Sequence, residues 1–144
     1  MTIIGDTNNS NWKLLLEAYE TGYSVSNNTS TVKVDMYLSR INRQGYLGGN
    51  WSGSITVDGQ TQYLSGNIPY PTYVNADNNL YLGSKEYTVG HNTDGTKIAG
   101  VSASFSSSDF TPSSGSASGN LTLTTIPRAS SVTATNTDIG SATS

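Results

Sequence analysis

The sequence predicts an all-β protein, an antiparallel β-sandwich, and three observations favour this fold class. Apolar and polar residues alternate with a period of two in several segments, as they do in strands that bury one face. Turn residues separate those segments at intervals of about 8 to 15 residues. Charged residues make up 12% of the 144 residues, and no amphipathic helix pattern is present. We expect an immunoglobulin-like arrangement first, while a jelly-roll-like arrangement stays open because one sequence does not reveal strand order.

The first two predicted strands have the clearest alternation. Residues 11–25 place four apolar side chains on one face: Trp12, Leu14, Leu16 and Ala18. Residues 30–41 do the same with four others: Val32, Val34, Met36 and Leu38. The run from Leu14 to Glu17 also suits the start of a helix on propensity, but we favour a strand.

The later predicted strands flank two Asp-Gly turns. Residues 50–57 alternate up to Asp58-Gly59, a dipeptide that tolerates the positive φ angles of a tight hairpin, and the chain returns through Tyr63. Asp94-Gly95 is predicted to form a second such turn between two further strands. The strand after it has its own inward face: Ala99, Val101, Ala103 and Phe105. A seventh strand covers residues 116–126.

Residues 1–126 are predicted to form the sandwich domain, and residues 127–144 a linker or the start of a following module. From Pro127 onward the sequence has no large aromatic residue and few apolar residues. Proline also ends strand pairing, because it lacks a backbone N–H. We therefore expect one hydrophobic core, located before Pro127.

Charge and composition exclude several functions. The formal net charge is -3 and no Lys/Arg cluster is present, so we expect no nucleic-acid binding. No stretch approaches the roughly 18 apolar residues of a membrane span, so we expect no membrane association. The chain has no cysteine and one histidine, so we expect neither a metal site nor a cofactor.

The acidic residues do not suggest an active site. Glu17 and Glu20 are predicted on opposite faces of one strand, and Asp58 and Asp94 suit turns. His91 is predicted to hydrogen-bond across its turn rather than to act as a base. We therefore predict no catalytic residue and no enzymatic activity.

Aromatic residues in two predicted loops form the candidate binding site. A tyrosine or tryptophan ring offers a flat apolar face to the C–H face of a sugar, while amides and carboxylates bond its hydroxyls. The loops span residues 43–51 and 66–79, and we predict this carbohydrate-binding set: Tyr46, Trp51, Tyr70, Tyr73, Asn75 and Asp77. A second interpretation stays open, because Pro69 and Pro71 stiffen the longer loop and would let it pack its tyrosines onto the sandwich end.

Residues 75–79, with the sequence NADNN, raise calcium binding as an alternative. Asp and Asn side chains and backbone carbonyls are oxygen ligands of the kind that calcium prefers. The spacing matches no EF-hand loop, and a single carboxylate is few for a dication. We therefore predict no metal site there.

Two motifs carry a resemblance to a known family. The segment HNTDGTKIAGVSASF, followed by SASGNLTLTTIPRAS, resembles proteins from siphoviruses of Gram-positive hosts, chiefly streptococcal phages. The resemblance covers roughly residues 10 to 144. It implies a minor tail or baseplate protein built from β-sandwich modules, assembled in the host cytoplasm and located in the virion. It implies other phage tail proteins as partners and no catalytic residue.

Together these observations predict a non-enzymatic module of the phage tail that helps the virion recognise its host by binding cell-wall polysaccharide. The alternative is a purely structural spacer that connects or orients a separate receptor-binding domain. Many copies in one virion would make weak binding at each site useful. A homo-oligomer in the virion stays open.

Overall fold

The computed structural model describes residues 1–128, which form two four-stranded antiparallel sheets packed face to face. Sheet 1 has the order β1-β2-β3-β6, and sheet 2 the order β5-β4-β7-β8. The strands of sheet 1 are β1 Thr2–Asp6, β2 Trp12–Ser24, β3 Thr29–Arg40 and β6 Leu80–Gly90. Those of sheet 2 are β4 Gly45–Val57, β5 Gln60–Val74, β7 Ile98–Ser106 and β8 Ser114–Thr122. The predicted all-β sandwich is confirmed.

The strand order differs from that of an immunoglobulin constant domain. Here β2 and β3 are neighbours in sheet 1, whereas the second and third strands of an immunoglobulin domain lie in opposite sheets. The chain crosses between the sheets after β3, after β5 and after β6.

The inward faces of the sheets form one hydrophobic core. The apolar residues predicted to face inward in β2, β3 and β7 are all less than 9% exposed, and those of β3 are fully buried. The alternation of period two therefore predicted the core correctly in these strands. Strand β1 was missed because it is five residues long and buries only Ile3.

The two Asp-Gly turns differ in what they connect. Asp58 and Gly59 have φ angles of 50° and 80° and join β4 to β5 in a tight hairpin, as predicted. Gly95 also has a positive φ, 87°, but its turn joins β6 of sheet 1 to β7 of sheet 2. The second hairpin prediction is wrong, because a turn dipeptide sets local geometry and not the sheet that the next strand enters.

Both predicted loops belong to strands. Residues 45–51 lie in β4 and residues 66–74 in β5, so only residues 43–44 and 75–79 of the two predicted loops lie outside the strands. Ile68 and Val74 are 6% and 1% exposed and anchor this part of β5 to the core. Pro69 and Pro71 are tolerated because β5 is an edge strand and has one free side.

The two open sides of the sandwich are closed differently. On one side β1 lies against β8, so closely that a Cβ added to Gly5 would sit 1.9 Å from the Ser116 carbonyl oxygen. On the other side two glutamines of β5 reach β6. Gln60 Nε2 donates to the Thr88 carbonyl at 2.8 Å, and Gln62 Nε2 donates to the Glu86 carbonyl at 2.7 Å. These amides satisfy carbonyls on the free edge of β6.

The chain stays attached to the sandwich after β8. Ile126 is fully buried, and its N–H donates to the Gly95 carbonyl at 3.0 Å. Arg128 Nη1 donates to the Val25 carbonyl at 2.7 Å. The linker predicted at 127–144 lies outside the described residues except for its first two. Within residues 1–128, no helix is long and apolar enough to cross a membrane.

Candidate functional site

Three exposed tyrosines meet on the outer face of sheet 2. The ring centroid of Tyr46 lies 6.0 Å from that of Tyr70 and 5.8 Å from that of Tyr73, with interplanar angles of 66° and 57°. The three side chains are 58%, 70% and 55% exposed. We call this group the tyrosine cluster: Tyr46, Tyr70 and Tyr73. Tilted contacts of this kind are favourable between aromatic rings, so the rings support one another while their outer faces stay open.

Strand pairing and a bulge position the tyrosine cluster. Tyr46 and Tyr73 are direct partners across β4 and β5, next to the buried Leu47. Beyond Leu47 the register shifts, so that residues 69–71 of β5 bulge opposite Gly48. A Cβ on Gly48 would lie 2.4 Å from the Tyr70 Cβ. The missing side chain at position 48 therefore leaves room for the backbone that carries Tyr70.

Amides and a carboxylate lie along β4 next to the tyrosine cluster. Asn67 Nδ2 donates to Asn50 Oδ1 at 2.9 Å, across the pair that these residues form between β5 and β4. The Asn50 N–H donates to Asp109 Oδ2 at 2.7 Å, and the Asp109 side chain lies against Gly49. Asn50, Asn67 and Asp109 are all exposed, and Asn50 follows by two residues Gly48, which lies against Tyr70.

Asn75 and Asp77 lie in the short loop after β5. The Asp77 N–H donates to Asn75 Oδ1 at 3.0 Å, which closes a local turn of the type that asparagine favours. Both residues are exposed. They follow Tyr73 within four residues, so they stay close to the tyrosine cluster along the chain.

Trp51 does not belong to this surface. Its side chain is 6% exposed and its ring stacks on Phe105 at 6.0 Å between centroids. Position 51 faces inward because it alternates with the outward-facing residues 50 and 52 of β4. The prediction that Trp51 contacts a ligand with the tyrosines is corrected by this burial. The predicted set therefore divides into a surface group and a core tryptophan.

The outer face of sheet 2 continues from the tyrosine cluster as a surface of hydroxyls. Pairs of side chains bond across its strands, at 3.1 Å between Ser52 and Ser106 and at 2.9 Å between Ser54 and Ser104. Across residues 1–128, the outward positions of these four strands carry no charged side chain. Tyr63 also lies on this face, outside the tyrosine cluster, and is 76% exposed.

A hydrogen-bond network around Ser30 is a second group of polar side chains, and the sequence did not predict it. His91 Nε2 lies 2.7 Å from Ser30 Oγ, which donates to Glu20, and His91 Nδ1 donates to the Gly95 carbonyl at 2.7 Å. His91 therefore hydrogen-bonds across its turn, as predicted. Ser30 is 1% exposed, so its hydroxyl is withdrawn from solvent. The arrangement ties β2, β3 and the β6–β7 turn together.

Potential metal ligands are scattered. In the described part of the chain, no group of three or more His, Cys, Asp or Glu side chains could hold a metal ion. Asp58 is engaged in a salt bridge with Lys97 at 3.1 Å, and Asp94 accepts from the Thr96 N–H at 3.0 Å. These two aspartates stabilise turns.

The fold and the tyrosine cluster define a class of molecule, a β-sandwich protein with an aromatic and uncharged sheet face. More particularly, the chain belongs to the family described as "Siphovirus protein of unknown function (DUF859)", whose model matches residues 1–144. This match confirms the predicted siphovirus family. Membership indicates a phage structural protein, a virion component that interacts with other phage proteins. A search of curated proteins finds no match to the chain.

Proposed function

We propose that this protein is a non-enzymatic module of the phage tail or baseplate that binds a saccharide of the host cell wall through its tyrosine cluster. One observation carries the proposal: three exposed tyrosines lie in mutual contact on a sheet face that has amides beside them. The mutual contacts stabilise the hairpin, but the outer faces of the three rings still leave apolar area in water. A sugar ring that covers them removes that area from water.

The polar neighbours suit the hydroxyls of a sugar. Asn50 and Asn67 bond to each other through one donor and one acceptor, which leaves their remaining groups available to a ligand. Asp109 accepts one bond from the Asn50 N–H and has further lone pairs. Because the sheet face itself is uncharged, we expect it to accept a neutral polysaccharide with little dependence on salt.

The test is a titration of the protein with cell-wall polysaccharide purified from a susceptible Gram-positive host, followed by NMR. The signals of Tyr46, Tyr70 and Tyr73 should shift. Tyr46→Ala and Tyr73→Ala should each weaken binding about threefold to tenfold, the value of one aromatic contact. Tyr63→Ala is the matched control, because this tyrosine is on the same sheet face, outside the cluster, and 76% exposed. No shift at millimolar saccharide, or an equal loss in the control, would contradict the proposal.

The spacer function is the second candidate, and the anchored exit of the chain favours it. Leu123 and Ile126 donate backbone bonds to Lys97 and Gly95, both at 3.0 Å, which fixes the direction of the chain as it leaves the sandwich. A module that orients a neighbour needs such an anchored exit. This candidate predicts no saccharide binding in the same titration. It also predicts that substitutions of Arg128 change the orientation of a neighbouring module.

A further inference from the structure

The outer face of sheet 1 carries apolar side chains in a line that crosses all four strands, with the two central ones, Leu15 and Tyr37, half-buried. The register pairs Ile4 with Leu15, Leu15 with Tyr37, and Tyr37 with Tyr81. Ile4 is 63% exposed and Tyr81 55%, and the two tyrosine rings lie 5.5 Å apart. We call this line the apolar row: Ile4, Leu15, Tyr37 and Tyr81. It lies on the opposite side of the sandwich from the tyrosine cluster.

A second line of side chains runs beside the apolar row, roughly 7 Å away. The offset is two residues in β1, β2 and β3 and three residues in β6, where the register shifts. We call it the carboxylate row, and the register places these residues in it: Thr2, Glu17, Asp35 and Ser84. The Thr2 hydroxyl donates to Glu17 at 2.8 Å, and Ser84 Oγ donates to Asp35 Oδ1 at 2.6 Å. The Tyr81 hydroxyl in turn bonds to Ser84, which links the two rows.

Asp35 keeps accepting capacity at the centre of this face. Its second oxygen, Oδ2, accepts from the Tyr19 hydroxyl at 3.3 Å. Each oxygen therefore accepts one bond, and a carboxylate has about four acceptor sites in total. The carboxylate is held in place by Ser84 and Tyr19 and can still accept from a ligand.

Negative charge dominates the centre of the face. Asp6 and Lys13 pair with each other at its border. The central positions hold three carboxylates and one ammonium group, those of Glu17, Asp35, Glu86 and Lys33. Lys85 pairs with the buried Val34 and so belongs to the other side of the sheet.

The pKa shifts on this face agree with that charge. Tyr19 and Asp35 raise the pKa of Lys33, so the surroundings favour the cation. Burial, and to a lesser extent Asp35, raises the pKa of Tyr37, so the surroundings oppose a negative charge on its hydroxyl. The face therefore attracts cations and repels anions.

We propose that the apolar row and the carboxylate row together form a second binding site, for a saccharide that carries a protonated amine. The rings of Tyr37 and Tyr81 contact the C–H face of the sugar, and Asp35 and Glu17 accept from its ammonium group and hydroxyls. Charge-assisted bonds of this kind are stronger than those between neutral groups. This site does not depend on the tyrosine cluster, since it differs in sheet, residues and charge.

The shape of the face favours a saccharide over a protein partner. The apolar row is one residue wide and has charged residues on both sides, so a protein would bury little apolar area on it, whereas a stable protein interface has a broad apolar core. A sugar chain that crosses the strands can keep its rings on one row and its polar groups on the other. A line of apolar side chains beside a line of carboxylates matches that ligand.

Two ligands with one backbone test the proposal: chitotriose, whose amines are free, and its fully N-acetylated form, which is neutral. In a mildly acidic, low-salt buffer the free-amine form should shift the NMR signals of Tyr37 and Tyr81 and bind about fivefold more tightly than the acetylated form. Added salt should remove this difference, because the charges lie at the surface.

Variants assign the binding to residues. Asp35→Asn and Tyr81→Ala should each weaken binding of the free-amine form severalfold, while Tyr23→Ala, an exposed tyrosine of the same sheet outside both rows, should not. Equal affinity for the two ligands, no shift at Tyr37 and Tyr81, or full binding by Asp35→Asn would overturn the proposal. So would sedimentation that shows self-association abolished by Ile4→Ser, because the apolar row would then be an interface between chains.

Discussion

Glu20 joins the end of the sandwich to the segment that leaves it. One oxygen accepts from the Thr124 N–H at 2.9 Å, and the other accepts from the Ser30 hydroxyl. Burial alone would raise the pKa of Glu20, but the bonds from Ser30 and Thr124 and the nearby His91 outweigh it and lower the pKa below 4.5. The charged form of Glu20 is therefore part of the folded structure.

Acid should destabilise the protein in part through Glu20. A carboxyl whose pKa is lower in the folded state stabilises folding fully above its unfolded value, near 4.5, and this contribution is lost as the pH falls through the lower folded value. Glu20→Gln, with one acceptor oxygen for two donors, should lose about 1–2 kcal/mol of unfolding free energy at neutral pH. The deficit should shrink below about pH 4.5 in denaturant titrations.

Glu17→Gln is the control for that experiment. Within residues 1–128, Glu17 accepts only from the exposed Thr2 hydroxyl, so Glu17→Gln should cost less unfolding free energy at neutral pH than Glu20→Gln. A deficit in Glu20→Gln that stays constant down to strongly acidic pH would contradict the assignment to the Glu20 charge.

Two substitutions in neighbouring positions of β3 test which of its side chains face the core. Val34 is fully buried and Lys33, its neighbour, faces solvent. Val34→Asp should unfold the domain, since an unpaired buried charge costs several kcal/mol against a total stability of about 5 to 15 kcal/mol. Lys33→Asp should cost about 1 kcal/mol, because it places like charges near one another on the surface. Thermal melting of both variants checks this, and a reversed order would contradict the register.

The bulge between β4 and β5 depends on the absence of a side chain at position 48. In Gly48→Ala the added Cβ would lie 2.5 Å from the Tyr70 Cα and should displace the Tyr70 backbone. The substitution should therefore lower the unfolding free energy by about 1–3 kcal/mol in denaturant titrations. Gly100→Ala is the control, since the nearest atom to its added Cβ is 3.9 Å away. Equal stability of the two variants would show that the bulge adapts. Saccharide binding should fall with Gly48→Ala alone if the tyrosine cluster forms the site.

The β4–β5 hairpin also explains why two loops were predicted where strands exist. Glycines at 45, 48 and 49 and prolines at 69 and 71 are typical of loops, and local composition therefore indicated irregular structure. The hairpin continues because Tyr46 finds a partner in Tyr73 and Val74 reaches the core, and both contacts depend on residues far away in the sequence. Tertiary pairing overrode local propensity.

At the scale of the whole molecule, the two outer faces differ in charge. Sheet 2 presents hydroxyls, amides and the tyrosine cluster, whereas sheet 1 presents carboxylates beside an apolar row. A sandwich turns its two faces in opposite directions, so a ligand on one face does not obstruct the other. Within a virion, the proposed sites would therefore act independently of each other.

The fold class and most of the core could be predicted from the sequence. Alternation along a strand is a local property, because successive side chains point to opposite faces whichever strand lies beside them. The residue type of Tyr46, Tyr70 and Tyr73 also made them candidates for a binding site. The siphovirus family was likewise recognisable from the motifs at residues 91–105 and 116–130, and the family match confirms it.

Which strands pair, and therefore which side chains share a surface, became known from the three-dimensional structure. It brought Tyr46 to Tyr70 and Tyr73, placed Trp51 in the core, and aligned Ile4 with Tyr81 across four strands. A shift of one residue in register moves every side chain of a strand to the other face, so these surfaces depend on pairing over long sequence distances. Local periodicity carries no information about that pairing, so the proposed binding surfaces could be recognised only in the assembled sheets.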